Sequence, residues 1–217
     1  MTEIYIDIET IPTQVDAMRQ YLVDGVKAPA NYKDPEKIAA YIEEQKEDVV
    51  NKAAFDGASN HIICIGVAID DQPSVSFSID GDVSKEAMML DAFYSYLKDT
   101  VGNWQHCTWI GHNVINFDLK ILRQRSMILG VKPPANIIIP ANSKPWESNP
   151  YDTMMQWDAK NFIKLDKLAL ALNIPMGKSM SGADVYPLWQ QGEYDAIADY
   201  CRGDVDLVRL VYERMTA

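Results

Sequence analysis

Residues 3–9 of the chain read EIYIDIE, an unbroken alternation of isoleucine with side chains that carry polar groups. A period of two residues is typical of a β-strand with two unlike faces, so this stretch predicts the strand that opens the fold. Residues i and i+2 of a strand share a face, and Asp7 and Glu9 therefore project side by side. Their repulsion is relieved by a raised pKa or by a divalent cation, which prefers oxygen ligands. A wet acidic face on an edge strand explains this pair equally well.

Strand and helix patterns alternate along the rest of the chain, without internal repeats. This order predicts one α/β domain with a mixed sheet over residues 1–217, in which residues 24–57 are a polar helical insertion and residues 131–149 a proline-rich loop. The expected elements are a helix from after Pro12 to about Val23, a helix capped by Asp34, strands at 61–69 and 74–79, a helix from the N-cap Ser84 to Lys98, a strand at 106–110, a helix from about Asn116 to Gly130, a short strand at 137–139, short helices within 152–172 and a helix at 193–215.

The composition excludes several classes of protein. With 217 residues, of which 47% are hydrophobic, and only three cysteines, the chain is neither disordered nor a disulfide scaffold. Its longest apolar run, residues 62–69, is far shorter than the roughly 20 residues that cross a bilayer. The amino terminus carries acids where a signal peptide would be basic. We therefore expect a cytoplasmic protein without membrane contact, whose cysteines are reduced and packed.

The net charge is −11, which argues against loose, charge-driven adhesion to nucleic acid. It does not exclude a nucleic-acid enzyme that brings its own cations. The charge is also unevenly distributed, because residues 118–178 contain nine Lys or Arg and five Asp or Glu. This segment faces a polyanion in one interpretation and is a solvated helix surface in the other.

The last predicted helix carries an acid within its apolar stripe. Apolar residues recur at three- and four-residue steps from Ile197 to Met215, and Asp204 interrupts them. A carboxylate buried there must be protonated, paired with a base or bound to a cation. Tyr200 lies one turn earlier on the same face. Gly203, at a cost of about 1 kcal/mol relative to alanine, indicates that another group comes close to this turn.

A third acid follows the predicted strand at 106–110. Residues 111–119 read GHNVINFDL, and Asp118 stands near the amino end of the next helix. The carboxyl end of a strand is the usual position for ligands in α/β sheets. The helix dipole alone also favours an acid at this position. That simpler explanation leaves Asp7, Glu9 and Asp204 unexplained.

Taken in order, these segments resemble the three motifs of the DEDD superfamily of 3′-5′ exonucleases. The motifs are DIET at residues 7–10, N-x-x-x-F-D at 113–118 and Y-x-x-x-D at 200–204. Each motif is weak alone, but the three in this order are specific. The tyrosine at 200 indicates the tyrosine branch, because Asp199 occupies the position where the other branch has histidine. The chain is most similar to stand-alone relatives of the proofreading domain of family B DNA polymerases.

The resemblance implies a ribonuclease H-like fold, a mixed five-stranded sheet flanked by helices, and a two-metal 3′-5′ exonuclease acting on single-stranded DNA. Two Mg²⁺ or Mn²⁺ ions about 3.5–4 Å apart would clamp the scissile phosphate. By resemblance, Asp7 bridges both ions, Glu9 and Asp204 complete the first site, and Asp118 holds the second. Tyr200, with an ordinary pKa near 10, is expected to orient the attacking water rather than act as a base.

The expected substrate contacts are Thr10, Asn113 and Phe117, with core packing as an alternative role for Phe117. The expected partner is the 3′ end of a nucleic acid, with replication or repair proteins as further candidates. Three alternatives remain open: an exoribonuclease, a catalytically silent nucleic-acid-binding module of the same fold, and an enzyme that cuts internally. Discrimination between DNA and RNA depends on contacts to the 2′ hydroxyl.

Overall fold

The computed structural model describes residues 2–101, 107–141, 143–144, 149–176 and 180–217. Its centre is a five-stranded mixed sheet in the order β3-β2-β1-β4-β5. The strands are β1 Thr2–Pro12, β2 Asn60–Ile69, β3 Val75–Ser78, β4 Cys107–Gly111 and β5 Tyr151–Asp152. β1 pairs antiparallel with β2 and parallel with β4, while β2–β3 is antiparallel and β4–β5 is parallel. The predicted ribonuclease H-like mixed sheet is therefore confirmed.

Eight α-helices flank the sheet in the described part of the chain. They are α1 Asp16–Asp24, α2 Pro35–Lys52, α3 Glu86–Val101, α4 Asp118–Leu129, α5 Thr153–Trp157, α6 Leu165–Ala171, α7 Val185–Gln191 and α8 Tyr194–Thr216. Three-residue 3-10 turns at Ala53–Phe55, Val83–Lys85 and Gly182–Asp184 precede β2, α3 and α7. α2 begins as the sequence predicts, because the Asp34 carboxylate accepts the N–H of Glu36 and Pro35 occupies the first turn.

β1 is the central strand of the sheet, and helices cover both of its faces. Ile4, Ile6 and Ile8 belong to the main core cluster, which includes Leu90 and Phe93 of α3. Tyr5, on the opposite face, belongs to a cluster with Val205 and Val208 of α8. The acidic face of β1 thus lies toward α8 rather than toward solvent. The alternative of a wet edge strand is wrong for Asp7 and Glu9.

The predicted strand at 137–139 is wrong. Pro133, Pro134 and Pro140 flank these residues and cannot donate ladder hydrogen bonds. Ile137 is buried in the main core, and the Ile138 carbonyl accepts the Trp109 indole N–H at 2.9 Å. The fifth strand is instead β5, which extends the sheet beside β4.

Other element boundaries also differ from those predicted. Ser84 does not cap α3, because Asp82 accepts both the Ser84 N–H and the Ser84 hydroxyl and places Ser84 inside a 3-10 turn. α4 begins two residues later than expected and ends at Gly130, which adopts the predicted left-handed cap with φ 70°. α7 was not expected at all. Residue 106 of the predicted strand and part of the 131–149 loop lie outside the described residues.

The described cysteines are all free thiols. Cys64 and Cys201 are buried, and Cys107 is partly buried. In the described part of the chain, no helix combines the length and the apolar character that a membrane span requires.

Candidate active site

Four acids from three separate elements lie together between β1 and α8. Asp7 and Glu9 project from β1, Asp118 is the first residue of α4, and Asp204 lies in the middle of α8. The Ile8 N–H donates to Asp118 Oδ1 at 3.0 Å, which ties the start of α4 to the middle of β1. The charges of the other three acids all act on Asp7. The sequence motifs, more than 100 residues apart at their extremes, therefore form one neighbourhood.

The approach of α8 to the sheet depends on a glycine in β2. A Cβ atom at Gly66 would lie 2.9 Å from both the backbone oxygen and the Sγ of Cys201, closer than real Cβ contacts. Gly66 pairs with Asp7 in the β1–β2 ladder. The missing side chain therefore lets α8 come close to the sheet beside Asp7. The register shifts between Glu9 and Thr10, which pair with Cys64 and Ile62, so Ile63 forms a bulge in β2 opposite the acids, a feature that is frequent next to functional sites.

The four carboxyl groups are harder to ionise than ordinary ones. Burial, and then the charges of the neighbouring acids, raise the pKa of Asp7 well above its usual value. Burial and the charge of Asp204 act in the same direction on the pKa of Glu9. Burial raises the pKa of Asp118 to about 7, although backbone N–H groups partly oppose this shift. Burial also raises the pKa of Asp204. All four cannot be charged together unless positive charge is supplied.

The described residues do not supply that charge. None of their ion pairs includes any of the four acids. Asp7 Oδ2 is buried and has no hydrogen-bond partner in this part of the chain. Potential ligand atoms of Asp7, Glu9 and Cys201 lie within 4.8 Å of one another. An orphaned buried oxygen among hard carboxylate donors fits a divalent cation of the Mg²⁺ type.

Cys201 belongs to this group by distance but differs in chemistry. Burial, followed by the neighbouring Cys64, raises the pKa of the Cys201 thiol well above its usual value. The thiol donates a hydrogen bond to the Asp7 carbonyl at 3.4 Å. A protonated thiol is a poor ligand for a hard cation. Cys201 therefore supports the backbone of β1, and the carboxylates remain the donor set.

Tyr200 lies one turn before Asp204 on α8, as the spacing predicts. Its hydroxyl is close enough to Asp204 to lower the pKa of that carboxyl through a side-chain hydrogen bond. Burial, followed by the charge of Asp204, raises the pKa of Tyr200 far above its usual value. The phenol therefore keeps its proton at neutral pH. It can donate or accept a hydrogen bond but cannot act as a general base there.

The three predicted substrate contacts lie close to the acids in the chain but differ in their surroundings. The Thr10 hydroxyl donates to the Ala54 carbonyl at 2.7 Å, so it holds the 3-10 turn before β2. Asn113 has φ 62° in the loop between β4 and α4. Phe117 is half-buried, packs on the main core and contacts the ring of Phe55, with ring centroids 6.2 Å apart. The substrate roles of all three stay predictions.

Asp152 is a buried acid that the sequence analysis did not single out. Its carboxylate accepts the backbone N–H groups of Asn113 at 2.9 Å and Ile115 at 3.1 Å, which shapes the loop that leads into Asp118. It also accepts the N–H groups of Met154 and Met155 as the N-cap of α5. An aspartate before a short helical pattern is a recognisable cap signal. Its hydrogen bonds with Asn113 and Ile115, about 40 residues earlier in the chain, have no signal in the local sequence.

Comparison with known proteins identifies a family. Residues 57–217 match the model of a family described as a predicted 3′-5′ exonuclease related to the exonuclease domain of PolB. The matched segment contains Asp118, Tyr200 and Asp204, while Asp7 and Glu9 precede it. No curated protein matches the chain significantly in sequence.

A similar solved structure is the family B DNA polymerase of the hyperthermophilic archaeon Pyrobaculum calidifontis. The two share 14% sequence identity with a TM-score of 0.54, over 98% of this chain and 24% of the polymerase chain. The chain thus spans about a quarter of the length of that polymerase. At this identity the likeness demonstrates a shared fold.

Proposed function

The chain belongs to this family of predicted 3′-5′ exonucleases related to the exonuclease domain of PolB, and from that premise we propose that it removes nucleotides from the 3′ end of single-stranded DNA with the help of two divalent cations. As a member, it is a hydrolase that acts on phosphodiester bonds. The observation that carries the proposal is the cluster of four buried or partly buried acids, none of which forms an ion pair with a described lysine or arginine. Such a cluster is a costly arrangement unless cations enter it.

In this proposal the carboxylates hold Mg²⁺ or Mn²⁺. Asp7, at the centre of the cluster, would be a ligand of both ions, Glu9 and Asp204 would complete one position, and Asp118 would serve the other. When bound, the cations polarise the scissile phosphate and lower the pKa of a water molecule. Oδ1 of Asp118 accepts the Ile8 N–H, so Oδ2 is the oxygen that is available to the second cation position.

The chain's own residues position the reacting groups. The protonated Tyr200 hydroxyl, next to Asp204, orients the attacking water by hydrogen bonding. Asn113 and Phe117 contact the terminal nucleotide from the loop that precedes α4. Asp152 fixes that loop through the Asn113 and Ile115 N–H groups and therefore acts as a positioning residue. Closing such groups around a substrate reduces the entropy lost at the transition state.

The preference for DNA rests on the polymerase likeness, because the similar solved structure is that of a family B DNA polymerase. The fold likeness supports it only by analogy. We place the enzyme in the cytoplasm, and replication or repair proteins are its proposed partners.

A direct test uses 5′-end-labelled single strands of matched DNA and RNA sequence, with Mg²⁺ and then with a chelator. We expect stepwise shortening of the labelled DNA from its 3′ end, loss of shortening on chelation and loss in the Asp7→Asn variant. Asp91→Asn, a change of the same chemistry at an exposed position of α3, is the matched control and should retain activity. A covalently closed circular strand should resist the enzyme.

Each other outcome identifies a different enzyme. Faster shortening of the RNA strand would make the chain an exoribonuclease. Cleavage of the circle would make it an endonuclease of the same fold. Binding of the strand without any metal-dependent shortening would reduce it to a nucleic-acid-binding module. Equal activity in the Asp7→Asn variant would contradict the assigned site.

A further inference from the structure

The end of α5, the loop after it and the start of α6 carry exposed aromatic and basic side chains that the candidate active site does not use. Trp157 is 48% exposed and Phe162 is 71% exposed, and neither ring belongs to a core cluster of the described residues. Lys160, Lys164 and Lys167 are exposed as well. We call these five side chains the lysine–aromatic surface.

The lysines of this surface are not neutralised by neighbouring acids. None of the ion pairs in the described ranges includes one of them. The Asp158 carboxylate accepts the backbone N–H groups of Lys160 at 2.8 Å and Asn161 at 3.1 Å. Asp166 accepts the backbone N–H of Lys167 at 2.6 Å. The ammonium groups are therefore available to an anion. Solvation alone accounts for three exposed lysines, but it does not account for two exposed rings among them.

The surface is held beside the candidate active site. His112, which directly follows β4, has its Nε2 atom 2.8 Å from the Ile163 carbonyl oxygen. A carbonyl oxygen can only accept, so His112 Nε2 carries the proton and donates it. This bond ties the loop between α5 and α6 to the loop that leads into α4. Asp166, which stands between two of the lysines, is close enough for its charge to act on the Asp204 carboxyl.

The chemistry of the surface matches a single-stranded nucleic acid. Proteins hold such strands with ammonium groups that contact the phosphates and with aromatic rings on which the bases stack. Each ring of the surface has a lysine two or three residues away in the chain. A ring and a positive charge thus occur together, as the base and the phosphate of one nucleotide do. On a chain with a net charge of −11, such a surface offers a polyanion a local attraction.

We propose that the lysine–aromatic surface binds the single-stranded part of the substrate on the 5′ side of the scissile phosphate. The inference rests on the proposed exonuclease function and adds to it a second binding surface. Because the 3′ end occupies the acids, the remainder of the strand extends on the 5′ side alone. Contacts far from the reacting phosphate are equal in the ground state and the transition state, so they lower KM and leave kcat unchanged.

The test measures kcat and KM in Mg²⁺ for 5′-labelled single strands of two lengths. Surfaces that bind single strands without sequence preference span roughly 4–16 nucleotides, so strands of about 3 and about 20 nucleotides separate the acids from the surface. The test variant combines three substitutions: Lys160→Gln, Lys164→Gln and Lys167→Gln. The matched control makes the same change of charge at three exposed positions in α2 and before it: Lys27→Gln, Lys33→Gln and Lys37→Gln.

The test variant should raise KM for the long strand at least tenfold at about 0.1 M salt and leave kcat within about twofold. The slope of log KM against log salt concentration should decrease by about 2, because each lysine–phosphate contact on a single strand contributes about 0.7. The short strand should be shortened by the variant as by the wild type. The matched control should follow the wild type on both strands, which separates contact at this surface from a change in net charge.

The rings are tested by Phe162→Ala. This variant should raise KM for the long strand about tenfold, within the 1–3 kcal/mol assigned to one stacked base. Its salt slope should equal that of the wild type, because no charge is removed. Tyr21→Ala removes a ring of α1 that is 74% exposed and should leave KM unchanged.

Three results would overturn the inference. If the wild type shortens both strands but the triple lysine variant keeps the wild-type KM and salt slope on the long strand, the surface binds something else, such as an acidic protein segment. If the matched control raises KM as much as the test variant, the effect is one of net charge. In both cases the proposed function stands and only this surface fails. If the wild type neither binds nor shortens any single strand, the proposed function fails, and the inference fails with it.

Discussion

Glu86 is a buried acid and Asp7 a partly buried one with a buried carboxylate oxygen, but their surroundings are opposite. Glu86 accepts hydrogen bonds from the Ile62 N–H at 2.9 Å and from Arg125 Nε and Nη2 at 2.8 and 2.7 Å, and lies 2.9 Å from His61 Nδ1. Burial alone would raise the pKa of Glu86, but the hydrogen bonds from His61 and Arg125 and the Arg125 charge outweigh it and lower that pKa. Asp7 has a buried oxygen without a hydrogen-bond partner among the described residues, and its pKa is raised by burial and by its acidic neighbours.

The fold therefore pairs Glu86 with Arg125, whereas no described lysine or arginine forms an ion pair with Asp7, for which we propose a catalytic role. Arg125 of α4 also donates to the Gly57 carbonyl, so the Glu86 network joins α3, α4 and the segment before β2. Near Asp7 the uncompensated negative charge costs stability and creates affinity for divalent cations. This contrast makes specific predictions for each region, and removal of charge should have opposite consequences in the two places.

The largest expected effect is on catalysis. Asp204→Asn should lower kcat/KM on single-stranded DNA by about 10³-fold or more, because it removes a charge that the cations need at the transition state. The same variant should be more stable than the wild type without metal, since one repelling carboxylate is gone. Initial rates and thermal melting in chelator measure the two quantities. If Asp204→Asn instead loses stability and keeps activity, the acid at this position stabilises the fold as Glu86 does, and the proposed difference between the two regions is wrong.

Arg125→Met tests the other region. It leaves Glu86 buried with fewer partners, and breaking such a pair should cost about 3 kcal/mol in the free energy of unfolding. For a chain of this size the melting temperature should fall by about 10 °C. Below the new melting temperature, the metal-dependent rate per folded molecule should stay within about twofold of the wild type. A loss of rate as large as that of Asp204→Asn would join the two regions into one functional unit.

The two regions should also respond oppositely to pH in the metal-free protein. The folded state keeps protons on Asp118 up to a pKa of about 7, above that of the unfolded chain, so the free energy of unfolding should fall, by about 3 kcal/mol, as the pH rises from about 4 through 7. The pKa of Glu86 is lowered, so its contribution is present above the unfolded pKa and is lost as the pH falls.

Melting curves at pH 5, 6, 7 and 8, with chelator and with Mg²⁺, measure this effect. The stabilisation by Mg²⁺ should grow with pH, because cations and protons compete for the same carboxylates. Asp118→Asn should flatten the fall in metal-free stability between pH 5 and 8. An unchanged slope in that variant would mean that other groups cause it.

The smallest effect is expected at Tyr200. Tyr200→Phe should lower kcat about tenfold, as expected for a group that orients water without transferring its proton, and should leave KM within about twofold. Because the phenol keeps its proton, the wild type should show no loss of rate from Tyr200 ionisation between pH 7 and 9. Full turnover of the variant would remove the orienting role, and an alkaline limb that disappears in the variant would make Tyr200 a base.

Local patterns predicted most of the fold. The alternation in residues 3–9, the Asp34–Pro35 start of α2, the hairpin of β2 and β3, and the Gly130 cap all depend on neighbours within a few residues. The errors arose where distant partners decide. Ile137–Ile139 has strand composition, but its flanking prolines and the Trp109 indole hold it as a loop, and β5 takes the edge position.

For the candidate site, the amino-acid sequence supplied the types of side chain and their local spacing, since three short motifs name the four acids and the tyrosine. Only the tertiary structure decided that the acidic face of β1 is covered by α8 and that Asp152 shapes the loop before Asp118. It also decided that Glu86 is paired with Arg125, whereas Asp7 forms no ion pair within the described ranges. The physical reason is range: strand and helix periods act over a few residues, whereas burial and charge balance are set by whichever segments meet in space.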